Sequence, residues 1–124
     1  MKGSETVLLV EDEDGVRRLA RHMLTAHGYQ VIEAAQGKEA IISVEQNPGS
    51  IHLLITDLVM PDMSGRTLAD QVASLDPNIK ILFMSGYTDD AIVRHEIYLD
   101  RIHFLQKPFT MSNLLTKVRE AIDH

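Results

Sequence analysis

The apolar residues of this chain come in two alternating rhythms: short unbroken runs, and stretches in which they recur every three or four positions. The 51–61 stretch, IHLLITDLVMP, sets the first rhythm most clearly, with Ile51, Leu53, Leu54 and Ile55 forming a nearly continuous apolar run. A run this short, followed by Asp57 and then Pro61, reads as a fully buried parallel strand. Its C-terminal end is expected to present Asp57 to solvent, where open α/β sheets place their sites.

From the N-terminus, Thr6–Val10 is a strand that ends at an acidic cluster, residues 11–14. Val16, Leu19, Ala20, Met23 and Leu24 then follow helical spacing, with Gly28 as the C-terminal stop. Gln30–Ala34 reads as the second strand and Gly37–Gln46 as the second helix, with Ala40, Ile41 and Val44 inward and Asn47-Pro48-Gly49 as its end. After the third strand, Ser64 is placed to cap a helix whose buried stripe is Leu68, Ala69, Val72 and Leu75. Asp76-Pro77-Asn78 is a turn signal, and 79–84 is the fourth strand. Residues 88–96 form a fourth predicted helix with Ala91 and Ile92 inward, and 97–101 carries no readable pattern. The fifth strand is 102–106, and Thr110 opens a last helix bearing Leu114, Leu115, Val118 and Ile122.

Five strands alternate with five helices across short connections, which implies an α/β fold with right-handed crossovers and a parallel sheet covered on both faces. The length, 124 residues, fits one domain with one real core. Its extent is expected to be 5–123, with 1–4 as a flexible N-terminus or a remnant of cloning. The formal charge of −6 lacks a basic nucleic-acid footprint, and no stretch reads as a recognition helix or zinc finger. Direct nucleic-acid binding is therefore not expected. With no cysteine there is neither a disulfide framework nor thiol chemistry. No apolar run approaches membrane-spanning length and the N-terminus has no signal-peptide core, so this domain is not expected to insert in a membrane. A cytoplasmic location is expected, with room for a membrane-anchored parent protein.

The polar residues fall at the strand ends. Glu11 and Asp12 follow strand one, Asp57 follows strand three, Ser85 follows strand four, and Lys107, before Pro108, follows strand five. With strands one, three and four as central neighbours, these side chains converge at one edge of the sheet. Three carboxylates so close repel one another unless something positive sits among them. A hard divalent ion takes oxygen ligands, and Mg2+ needs few from the protein, so Glu11, Asp12, Asp57 and a backbone carbonyl near Val59 suffice. Lys107 supplies a fixed positive charge opposite the metal, Ser85 a hydroxyl donor, and Gly86 leaves room beside it. This set suits a phosphoryl group, with Asp57 as the nucleophile. A carboxylate is expected to be anionic at neutral pH, so no histidine need act as its base.

Each signal also has a bland reading. Acidic residues after a strand favour the next helix N-terminus, Lys107-Pro108 alone is a turn, and Ser85 alone is a loop hydroxyl. Their joint occurrence at the ends of alternating strands favours a site. His22, His27, His52, His95, His103 and His124 form no metal-ligand pattern and read as surface or boundary residues.

The acidic pair Glu11-Asp12, the run from Asp57 through Met60-Pro61 to Gly65, Ser85-Gly86 and Lys107-Pro108-Phe109 together resemble two-component response-regulator receiver domains over 5–122. The resemblance implies a flavodoxin-like strand order 2-1-3-4-5, Mg2+-dependent transfer of a phosphoryl group from a histidine kinase phosphohistidine to Asp57, and slow loss of that group to water. The phosphodonor is a sensor histidine kinase or its phosphohistidine domain, in cis or in trans, and docks with help from the 15–27 helix; a downstream protein partner receives the output. Two departures stand out. Glu11 occupies a position where many members carry aspartate. Phe104 matches the aromatic switch residue that rearranges with Ser85, and phenylalanine has no hydroxyl, so packing must govern any ring movement.

The runs SGYTDD at 85–90 and FLQKPFT at 104–110 are similar to receivers of bacterial hybrid sensor histidine kinases. A free-standing single-domain regulator and a receiver cut from a transcription factor are alternatives. Outside these lie a metal-dependent phosphohydrolase, against which no acid/base residue follows two positions after Asp57, and a degenerate receiver used only for binding. The intact Glu11, Asp12, Asp57, Ser85 and Lys107 set opposes the latter.

Overall fold

A computed structural model of the protein describes residues 3–86 and 103–123. The strands are β1 (Thr6–Val10), β2 (Gln30–Ala34), β3 (Leu53–Asp57), β4 (Lys80–Ser85) and β5 (His103–Gln106). The helices among the described residues are α1 (Asp14–Ala26), α2 (Gly37–Gln46), α3 (Gly65–Leu75) and α4 (Met111–Asp123). The expected helix over 88–96 and the patternless 97–101 lie outside the described residues. All strand pairs are parallel, in the order β2-β1-β3-β4-β5. The expected doubly wound architecture is therefore observed.

The period of two along a strand explains how the sheet is covered. Val7 and Leu9, Leu53 and Ile55, Leu82 and Met84, and Leu105 pack with Ala20 and Leu24 of α1 and Leu114, Leu115, Val118 and Ala121 of α4. The alternate residues Leu8, Val10 and Leu54 pack with Ala40 and Val44 of α2 and Leu68 and Val72 of α3. Every residue of β3 is buried, as a central strand covered on both faces requires. Truncating Leu54 there, as in Leu54→Ala, removes about 2–5 kcal/mol, the usual cost of a core cavity.

Local signals set the helix ends. Ser64 accepts a hydrogen bond from the Thr67 amide at 3.0 Å, and Thr110 accepts one from the Asn113 amide at 3.1 Å. Each cap contributes about 1 kcal/mol. Gly28 closes α1 with φ +97°. Two apolar stripes are narrower than the spacing implies: Leu19 is 51% exposed and Leu75 is 47% exposed. Leu75 is the last residue of α3. Leu19 borders the cleft described below.

Candidate functional site

The pleat that covers the sheet also builds the site. Leu9, Ile55 and Leu105 face the α1/α4 side, so Glu11, Asp57 and Lys107, each two residues further on, continue that same face beyond the sheet edge. Register aligns them: Val10 pairs with Thr56, which sets Glu11 beside Asp57, and Ser85 pairs with Gln106, which sets Lys107 one step beyond. The Lys107 amide donates to the Ser85 carbonyl at 2.9 Å, holding the start of the last loop against the end of β4; the Lys107–Pro108 peptide bond is cis.

The Lys107 Nζ lies 2.5 Å from Glu11 Oε1 and 2.6 Å from Asp57 Oδ1. It therefore bridges the two carboxylates and is the positive charge set among them. The other oxygen of Glu11, Oε2, accepts a hydrogen bond from the Glu13 amide at 3.2 Å. Arg17 braces the same turn: its Nη1 donates to the Glu11 carbonyl at 2.7 Å and its Nη2 to Asp14 Oδ1 at 2.7 Å. Asp14 thus serves the first turn of α1.

Asp57 is not presented to solvent. It ends β3 as its last residue and is 4% exposed, beside a fully buried Glu11, while Asp12 is exposed. Thr56, also buried, turns its hydroxyl to the Asp57 carbonyl at 3.0 Å. Gly65 packs directly on that carbonyl: a Cβ there would collide with it. A side chain at position 65 would therefore push the start of α3 off the end of β3. By contrast, a Cβ at Gly86 would meet nothing within 4 Å, so the space beside Lys107 is open.

Burial and the Glu11 carboxylate together push the Asp57 carboxyl up to about 8, against the pull of Lys107. Burial alone would raise Glu11 too, but the neighbouring Asp57 carboxyl, Lys107 and the Glu13 amide hold it below its ordinary value. Asp12 is raised, by burial and by Glu11. Burial opposes the charge on Lys107, yet its pairing with Asp57 and Glu11 raises it. Burial and the neighbouring Glu11 thus oppose the plain anionic Asp57 expected at neutral pH in the metal-free protein.

Oxygens of Glu11, Asp12 and Asp57 lie within 4.8 Å of one another. Both oxygens of Asp57 are buried and, among the described residues, have no hydrogen-bond partner; the Lys107 contact is an ion pair without hydrogen-bond alignment. Hard oxygen donors, excess negative charge and an unsatisfied buried carboxylate fit a small divalent cation. Val59 stands on the neighbouring loop with its side chain 76% exposed. Beside Lys107 opens a cleft of about 350 Å³, lined by Glu13, Val16, Leu19, Gly86, Lys107, Pro108 and Phe109.

Residues 7–119 match the response regulator receiver domain family. The chain is a response-regulator receiver domain. It is 42% identical over 123 residues to the sensor kinase CckA of Brucella abortus, covering 99% of this chain and 13% of that kinase. It is 32% identical to the response regulator receiver protein CpdR of the same organism, covering 94% of this chain and 95% of CpdR. Among solved structures, the receiver domain of the hybrid histidine kinase CckA aligns with a TM-score of 0.79 at 37% identity, over 94% of this chain and 98% of that one. As a receiver of two-component signalling its role is that of phosphoacceptor, and a histidine kinase is the partner this implies.

The structure brings Glu11, Asp12, Asp57 and Lys107 into one group. Ser85 ends β4 with its side chain half-buried. Phe104, half-buried on β5, packs against the cluster of Leu58, Ala69 and Phe83. Sequence reasoning did not find Arg17 or the buried Thr56 behind Asp57. Arg17 had a legible signal, since a basic residue three positions after Asp14 on a helix reaches back to the acidic turn. Among the described residues no helix is long and apolar enough to cross a membrane.

Proposed function

We propose that Asp57 is the phosphoacceptor, taking a phosphoryl group from a phosphohistidine of a sensor histidine kinase or its phosphotransfer domain. The observation that carries this is the buried Asp57 carboxylate at the end of the central strand, its oxygens lacking hydrogen-bond partners among the described residues, between Glu11 and Lys107. One Asp57 oxygen attacks phosphorus, the P–N bond to the imidazole breaks, and the imidazole leaves with a proton from solvent. Glu11, Asp12, Asp57 and the Val59 carbonyl hold Mg2+, which balances the charge on the phosphoryl oxygens. Lys107 moves from its bridge to pair with a phosphoryl oxygen, and Ser85 donates its hydroxyl to another. Lys107 can do this because its ammonium already lies 2.6 Å from the Asp57 oxygen. The cleft beside Val16, Leu19 and Phe109 admits the donor side chain.

Ser85 and Phe104 form the switch: Phe104 rests on Leu58 and Phe83, so a shift of the loops around Asp57 reaches its ring by packing. Autophosphorylation from small donors and autodephosphorylation are slow. Residues 5–123 form the functional unit, acting in the cytoplasm. The domain belongs to a hybrid sensor kinase; the 42% identity to a sensor kinase of which it spans 13% supports this. Similarity to CpdR over 95% of that protein's length favours, as the second reading, a free-standing regulator.

Incubation with Mg2+ and a small phosphodonor should add one phosphoryl group, mapped to Asp57 by mass spectrometry. Asp57→Ala should abolish the gain. A stable modification elsewhere with Asp57 untouched would overturn the assignment.

A further inference from the structure

The loop that follows Asp57 is held at three places. At its start the Leu58 amide donates to the Met84 carbonyl at 3.0 Å and the Gly65 amide to the Leu58 carbonyl at 2.9 Å. In its middle Met60 is buried in the α2/α3 core, its sulfur 3.7 Å from the Thr56 hydroxyl. The third hold reaches a different helix. Asp62 Oδ1 accepts a hydrogen bond from the Gly37 amide and Oδ2 one from the Lys38 amide, each at 3.1 Å. These are orphan donors of the first turn of α2, whose own N-cap residue, Gln36, makes no side-chain cap. Burial opposes the charge on Asp62 but is slight, and the amides of Lys38 and Gly37 hold its carboxyl below the ordinary range. Next to it, Met63 lies flat on Gly37, where a Cβ would come within 2.5 Å of Met63 Cγ. A cap supplied from 25 residues away by a loop residue is more than α2 needs for itself, since a serine or aspartate at position 36 would serve.

We propose that Asp62 is a positioning residue for the Mg2+ site: with Met63 it pins the 58–63 loop to α2 and so fixes where the Val59 carbonyl stands. The inference rests on the Mg2+ reading of the site. Val59 itself, 76% exposed, has little packing of its own, so its place is set by the holds at Leu58 before it and at Met60 and Asp62 after it. The consequence is reciprocal: a metal or phosphoryl group that tightens the loop also tightens the first turn of α2.

The test is Mg2+ titration followed by amide NMR shifts, alongside urea unfolding, for wild type, Asp62→Ala, Met63→Ala and Ile42→Gly. Asp62→Ala should weaken Mg2+ about tenfold, in the range seen when a partner that orients a metal ligand is lost. Met63→Ala keeps the charge and should weaken it by a smaller factor. Ile42→Gly, on the exposed face of α2, should lower the urea midpoint and leave Mg2+ affinity unchanged. Wild-type affinity in Asp62→Ala, with a lowered midpoint like that of Ile42→Gly, would make Asp62 a helix cap and nothing more. Weaker binding in Asp62→Ala with none in Met63→Ala would reduce its role to charge and overturn positioning. If wild type bound no Mg2+, the proposed function would fall and this inference with it.

Discussion

Two charge clusters sit at opposite ends of the sheet, and each sets one cation between two carboxylates. At the C-terminal edge of the strands Lys107 lies 2.5 Å from Glu11 and 2.6 Å from Asp57. At the other edge Arg119 lies 2.8 Å from Glu5 and 2.6 Å from Asp123, with the Tyr29 hydroxyl at 3.3 Å. Their chemistry nonetheless diverges. Hydrogen bonds to Tyr29, Glu5 and Asp123 raise Arg119, and although burial works against it, Glu5 is held below its ordinary value by Arg119 and by local amides. The guanidinium fork gives each carboxylate its own N–H, and water reaches all three groups. At the site a single ammonium must serve two carboxylates that water barely reaches, and one of them, Asp57, is driven up to about 8. The lesson is that charge count does not make a site. The same one-to-two ratio is at rest where it is solvated and forked, and is short of positive charge where it is buried. A cation and a phosphoryl group complete the second cluster and have nothing to complete in the first.

The largest contrast is expected from Asp57→Asn. It should abolish phosphoryl gain entirely by mass spectrometry, yet raise the stability of the metal-free domain at pH 7.5 by about 1–2 kcal/mol in urea unfolding, because a buried like-charge conflict is removed. Loss of stability in this variant would mean that the Lys107 bridge outweighs the conflict.

The second contrast is in pH. Asp57 keeps its proton in the folded metal-free protein up to about 8 but loses it near 3.8 when unfolded. Between those values the unfolded chain binds fewer protons, so stability falls as pH rises, by up to about 1.4 kcal/mol per pH unit. The depressed Glu11 and Glu5 act in the opposite direction, contributing stability that is lost only as pH falls below their ordinary value of 4.5. From pH 5 to 8 the metal-free domain should therefore weaken, saturating Mg2+ should flatten the slope, and Asp57→Asn should remove it. Denaturant midpoints at several pH values, with and without Mg2+, measure all three.

The third contrast lies within the acidic turn. Asp12 belongs to the carboxylate group, whereas Asp14 is engaged by Arg17 at 2.7 Å. Asp12→Asn should weaken Mg2+ at least about tenfold, and Asp14→Asn should do so much less. Equal losses in a titration would reject this division.

Much of this was legible in the residues. The all-apolar β3, the alternating rhythms and the Ser64 and Thr110 caps carry the fold, because strand burial and helix capping are local in sequence. Glu11, Asp12, Asp57 and Lys107 were legible as a group because parallel strands bring their C-terminal ends together. What the residues did not convey is how the group is arranged. Burial of Asp57, its closeness to Glu11 and the bridging place of Lys107 depend on the register of β1, β3 and β5, which no single stretch encodes. The Asp62 grip on α2 is missed for the same reason, since it joins positions 37 and 62. Leu75 was misread because spacing alone does not say how far burial continues to the last residue of a helix.

The smallest effect is expected at the far cluster, and it is what gives the comparison its edge. Arg119 is one-quarter exposed and Asp123 over half exposed, so solvent screens their attraction and salt weakens it. Arg119→Ala should cost roughly 1 kcal/mol, and part of that comes from lost stem packing beside Tyr29. Arg119→Lys should cost less, because one charge remains while the fork is lost. Neither variant should change Mg2+ affinity or the phosphoryl gain at Asp57, since Glu5 and Tyr29 lie at the opposite ends of β1 and β2 from the site. The matching change at the site, Lys107→Ala, should nearly abolish phosphoryl gain. If Arg119→Ala altered Mg2+ binding as Lys107→Ala does, the two clusters would be coupled through β1, and the view of one as relaxed scaffold and the other as unfinished site would fail.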